Sequence, residues 1–144
     1  MSAILLDGKK LAEDVRSGLK GRVEALVAKG VVPGLAVLLV GEDPASVSYV
    51  TAKEKACADL GMKSFERRLP ASATEAEIVG IVRAFNADPA VHGILVQLPL
   101  PKGVSEAKII EAISPEKDVD GFTPINVGRM VLGEDRKSTR LNSS

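Results

Sequence analysis

The amino-acid sequence predicts an α/β fold, with three layers (α/β/α) built around a mainly parallel sheet. Three observations carry that expectation. Residues 35–40, Leu-Ala-Val-Leu-Leu-Val, form an unbroken apolar run of strand length, as expected of a parallel strand covered on both faces. Segments of helical periodicity alternate with such runs in the order α, β, α, β, α, β, α, which calls for right-handed crossovers between parallel strands. Helix start and stop signals fall at the joints between them.

Leu11, Val15, Leu19, Val23 and Leu26 recur at helical spacing and predict an amphipathic helix over 8–29, stopped by Gly30. Pro33-Gly34 breaks the chain before the strand at 35–40. Asp43 reads as an N-cap with proline at the first helical position, and the helix it opens runs to Leu60, with Gly61 as its stop. Residues 64–69 are a more polar strand, suited to a place near a sheet edge. Thr74-Glu-Ala-Glu77 has capping-box spacing, and Ile78, Ile81, Val82 and Phe85 give the next helix its buried stripe. Residues 91–98 form a third strand and 105–113 a short helix.

The totals narrow the functional classes. A chain of 144 residues suits one domain with its own core, and 45% apolar with 26% charged residues fits a globular protein rather than a disordered one. Lysine plus arginine equals aspartate plus glutamate at 19 each, which gives no electrostatic footprint for nucleic acid. The apolar runs are far too short to span a membrane. No secretory segment opens the chain, and the lone Cys57 suits a reducing compartment, so a cytoplasmic protein is expected. One histidine and one cysteine make no zinc-type cluster, and His92 has no serine motif beside it for triad chemistry.

Two phrases concentrate chemistry. Tyr49-Val-Thr-Ala-Lys53 puts a phenol and an amine on one helix face, and Val96-Gln97-Leu-Pro-Leu-Pro101 ends a strand in a carboxamide followed by stiffening prolines. In parallel sheets ligands sit beyond the carboxyl ends of the strands, so both phrases point to the same edge. Lys53 is the candidate acid/base or electrostatic group, since a partly buried amine exchanges protons near neutrality. A solvated surface lysine satisfies the same spacing. Tyr49 suits stacking on an aromatic ligand, or plain packing. Gln97 suits holding the Lys53 amine, or bonding a loop backbone. In Lys117-Asp-Val-Asp-Gly121 two carboxylates flank Val119, and at most one is expected to meet a ligand. A carboxylate there suits the amino-and-ring-NH edge of a pterin or guanine-like ring, and otherwise serves as a turn aspartate. Tyr-x-x-x-Lys also occurs in short-chain dehydrogenases, but no G-x-G-x-x-G phosphate loop is present.

Three long motifs in order resemble one family. The stretch from Pro33 to Cys57, containing Gly-Glu-Asp-Pro-Ala-Ser-Val-Ser-Tyr-Val-Thr-Ala-Lys, is similar to the first signature of the bifunctional methylenetetrahydrofolate dehydrogenase/cyclohydrolases. Gly93-Ile-Leu-Val-Gln-Leu-Pro-Leu-Pro101 is similar to the second and Lys117-Asp-Val-Asp-Gly-Phe-Thr-Pro-Ile-Asn-Val-Gly-Arg129 to the third. The resemblance implies an aminoacid dehydrogenase-like N-terminal fold. It also implies oxidation of 5,10-methylenetetrahydrofolate with NADP and hydrolysis of the methenyl product to 10-formyltetrahydrofolate. It makes Lys53 the catalytic lysine tuned by Gln97, Tyr49 the residue stacked on the folate rings and Asp120 the pterin anchor. Ser46, Leu98 and Pro99 would line the cleft. Thr123 departs from the histidine that many members carry. The expected partners are tetrahydrofolate one-carbon derivatives, with a homodimer in the full-length family and neither metal, nucleic acid nor membrane. NADP would be bound by a Rossmann-type domain that this chain lacks. Residues 1–134 are thus expected to be a folate-binding catalytic domain, and 135–144 an unrelated disordered extension. A non-catalytic module that binds folate or a protein is the alternative.

Overall fold

The computed structural model describes residues 7–134; the extension expected at 135–144 lies outside the described residues. Eight elements follow one another: α1 (Gly8–Val27), β1 (Gly34–Val40), α2 (Pro44–Leu60), β2 (Lys63–Leu69), α3 (Glu75–Ala87), β3 (Gly93–Val96), α4 (Glu106–Ala112) and α5 (Pro124–Val131). The strands form one parallel sheet in the order β2-β1-β3. The polar strand β2 takes an edge, as its composition predicts, and the apolar β1 lies in the middle.

The alternation of β1 divides the core. Ala36, Leu38 and Val40 join Ile78, Val82 and Phe85 of α3 and Ile109 of α4 on one face. Val37 and Leu39 join Val50 of α2 and Leu95 on the other. Helices thus cover both faces, and β1 is buried along nearly its whole length. The start signals act as expected. Asp43 caps α2 by accepting from the Ser46 amide, Gly61 closes it at φ 78°, and Thr74 with Glu77 completes a capping box on α3.

Three features differ from expectation. The ladder of β3 stops at Val96, short of the predicted 91–98. His92 and Gln97 still donate backbone bonds to Gly34 and Leu38 at 2.9 Å each, but Pro99 has no N–H to carry the pairing further. Helix α5 was not anticipated, although Thr123-Pro124 repeats the pattern of cap followed by proline seen at Asp43-Pro44. Along α1 only Val23 is buried, while Leu11, Val15 and Leu26 of the predicted stripe are exposed. The element α1 packs against is α2 and not the sheet, so most of its stripe has nothing to rest on among the described residues. No helix among the described residues is long and apolar enough to cross a membrane.

Candidate active site

The sheet-facing stripe of α2 reads Ser46, Val50, Lys53, Cys57, spaced by four, three and four residues. Three of these are buried and Lys53 is half-buried. A lysine on such a stripe must find a partner for its ammonium. It finds one where β3 ends: Lys53 Nζ donates to Gln97 Oε1 at 2.9 Å. The carboxamide is itself held, because Gln97 Nε2 donates to the Leu98 carbonyl at 2.8 Å. The structure therefore brings the two expected phrases together at the carboxyl edge of the sheet. The strand order places this point beside the reversal between β1 and β3, where parallel sheets open a crevice.

Asp120 is the third polar group. The residue as a whole is exposed, yet loss of solvation around its carboxyl raises its pKa, the Lys53 charge pulls it back down, and Asp118 pushes it up again. Asp118 has the opposite character. It is buried, and its Oδ1 accepts from the Gly121 amide at 2.9 Å while Oδ2 accepts from the Thr123 amide at 2.9 Å and Asn126 Nδ2 at 3.0 Å. Burial works against its ionised form, but these donors hold its pKa below the ordinary 3.8. One carboxylate of the pair thus closes a turn, and the other makes no hydrogen bond among the described residues and lies within reach of the Lys53 charge.

Tyr49 lies one turn before Lys53 and is 62% exposed, so its ring is available as a platform and is not part of the core. Ser46 is buried, and its amide and hydroxyl both donate to Asp43 Oδ2 at 2.8 Å, which engages the hydroxyl in the helix cap. Leu98 is half-buried and Pro99 exposed, on the rim just past Gln97, with the peptide between them cis. Cys57 is a buried core thiol, raised in pKa by burial and then by Glu54.

Contacts that the sequence did not disclose hold the segment that carries Asp118 and Asp120. Lys117 Nζ donates to the carbonyls of Phe85, Asn86 and Asp88 at 3.2, 2.8 and 2.9 Å, gripping the end of α3. Asn126 of α5 ties Asp118 to the Pro115 carbonyl. The Thr123 hydroxyl is buried without a hydrogen-bond partner among the described residues. The Thr-Pro helix start and the departure at Thr123 from the family motif were the signals of this in advance.

A dinucleotide does not fit the helix starts at the strand ends. Asp43 already occupies the amino end of α2, Glu77 returns to the cap of α3, and Ser105 caps α4. A pyrophosphate would meet a carboxylate at the starts of α2 and α3 and an already engaged Lys108 amide at α4.

Comparison with known proteins places this geometry in context. The family model described as tetrahydrofolate dehydrogenase/cyclohydrolase, catalytic domain, matches residues 6–120. The bifunctional protein FolD of Bacillus velezensis is 57% identical over 135 residues, which are 94% of this chain and 48% of that protein. The crystal structure of the bifunctional enzyme FolD, methylenetetrahydrofolate dehydrogenase/cyclohydrolase, from Campylobacter jejuni superposes with a TM-score of 0.91 at 45% identity, covering 94% of this chain and 48% of that one. The Trypanosoma brucei N5,N10-methylenetetrahydrofolate dehydrogenase-cyclohydrolase, complexed with NADP cofactor and inhibitor, gives 0.89 at 35% identity, covering 94% and 47%. The chain spans about half the length of the curated relatives it matches.

Proposed function

The chain belongs to the tetrahydrofolate dehydrogenase/cyclohydrolase family, and from that premise we propose that it is the substrate-binding, catalytic half of an enzyme of one-carbon folate metabolism. The whole protein would oxidise 5,10-methylenetetrahydrofolate with NADP and hydrolyse the methenyl product to 10-formyltetrahydrofolate. The observation that carries this reading is the Lys53–Gln97 bond at the sheet edge, with Asp120 close enough to feel the lysine charge.

In the hydrolytic step water adds to the cationic methenyl carbon and one of its protons is released, cancelling the positive charge. The carbon–N5 bond then breaks as the second proton passes to N5, and the water oxygen remains as the formyl oxygen. Lys53 is the group we assign to carry these protons. Gln97 Oε1 fixes where the amine stands, Tyr49 offers a face to the folate rings, and Asp120 accepts from the amino-and-ring-NH edge of the pterin. Leu98 and Pro99 form the rim, and Ser46 contributes through the cap that sets α2. We assign the oxidation to the whole protein, a homodimer in this reading, acting in the cytoplasm. Residues 1–134 would be the catalytic domain.

Decay of methenyltetrahydrofolate absorbance with the purified 144-residue chain tests the proposal. Lys53→Met should slow hydrolysis by about 10²-fold or more. An unchanged rate would strip Lys53 of its role, and folate binding without turnover by the unaltered chain would favour a non-catalytic module. The chain alone should not reduce NADP.

A further inference from the structure

Asp120 is placed by its neighbours, because no hydrogen bond among the described residues holds its carboxylate. Residues 117–120 run beside β3, where the Ile94 amide donates to the Lys117 carbonyl at 2.7 Å and Ile94 bridges Asp118 in parallel register. Three anchors then fix the segment. The Lys117 ammonium grips the carbonyl end of α3. The Asp118 carboxylate gathers donors from Gly121, Thr123 and Asn126. Val119 packs so closely on β3 that a Cβ on Gly93 would stand 2.5 Å from its Cγ1. With 118 held in its turn and 119 seated on the strand, 120 is left where the Lys53 charge reaches its carboxyl.

We propose that Asp118 is a positioning residue: the buried turn it closes, with Val119 seated on Gly93, holds the Asp120 carboxyl beside the Lys53 amine. Every neighbour of Asp118 donates a hydrogen bond to it, so its two acceptor oxygens are matched to the site. Asparagine has the same size but replaces one acceptor with a donor, which in either orientation opposes at least one of the three donors and loosens the turn. The functional meaning of this device rests on the folate reading, whereas its geometry does not.

The test uses the 144-residue chain with ¹³C-carboxyl NMR titration of Asp120. In the unaltered background Lys53→Met should raise the Asp120 pKa, because it removes the favourable positive charge. In Asp118→Asn the same change should move it less than half as far, and an equal displacement in both backgrounds would overturn the proposal. If Asp118→Asn fails to fold, Gly93→Ala, which displaces Val119, takes its place: a displacement cut by half or more supports the proposal, and an equal one overturns it. Titration with methenyltetrahydrofolate supplies the second arm. Asp118→Asn should weaken binding by about tenfold, and should add nothing in an Asp120→Ala background. Independent, additive losses would show a general structural role and overturn the positioning one. Failure of the unaltered chain to bind the folate would sink the folate reading, while the NMR titration would still decide whether Asp118 positions Asp120.

Discussion

Strand β1 and helix α1 are both written in regular apolar periodicity, and the fold treats them in opposite ways. Leu38 of β1 is fully buried between two helical layers, whereas Leu11 of α1 is 64% exposed. The difference teaches that a periodic pattern specifies a face but not what covers it. For β1 the cover is built in, because a parallel strand reaches its neighbours only through crossover helices that must return across the sheet. For α1 the nearest support is α2, and only Val23 reaches a buried position. One substitution made at both sites separates the two cases. Leu38→Ala should destabilise the chain by about 2–5 kcal/mol in urea unfolding, since it opens a cavity in a site with no room to relax. A loss below about 1 kcal/mol would mean that the sheet core is looser than its burial implies.

The wall of the cleft stands between these extremes, because polar groups hold it together. Asn126→Ala leaves the Pro115 carbonyl without its side-chain donor and Asp118 Oδ2 with only the Thr123 amide, and should cost about 1–3 kcal/mol near neutral pH. The loss should also depend on pH in a definite direction. The folded pKa of Asp118 lies below the ordinary 3.8, so its stabilisation is complete above that value and fades as pH falls through the folded pKa. Asn126 is one of the donors that depress it. The gap between the unaltered chain and Asn126→Ala should therefore be widest above pH 3.8 and narrow in acid. Equilibrium unfolding at several pH values reads this, and a gap that widened on acidification would reverse the assignment.

These regions also differ in how far the sequence disclosed them. The bounds of α2 were legible to the residue, because Asp43-Pro44 and Gly61 act through local backbone chemistry. Lys53 and Gln97 were legible as a pair, because each lies at an end that strand and helix geometry bring to one edge. Extended alternation puts Asp118 and Asp120, two residues apart, on one side, so it did not disclose that only one of them is drawn into a turn. Which one is drawn in depends on Thr123 and Asn126 in a helix the periodicity did not reveal. Lys117 was opaque for a deeper reason. Its partners are backbone carbonyls about thirty residues upstream, and carbonyls leave no mark in a sequence.

The smallest expected effect is the most discriminating. Leu11→Ala removes the same atoms as Leu38→Ala, but from a side chain already largely in water, so little transfer energy is forfeited and no cavity forms. Alanine is also the better helix former, which offsets part of what remains. The net change should fall within about 0.5 kcal/mol and should not vary with protein concentration. Unfolding curves collected across a hundredfold range of concentration check both statements. A cost above about 1 kcal/mol that grew with concentration would mean that copies of the chain cover the α1 stripe in solution. The contrast with β1 would then be one of where the cover comes from, and no longer of whether there is one.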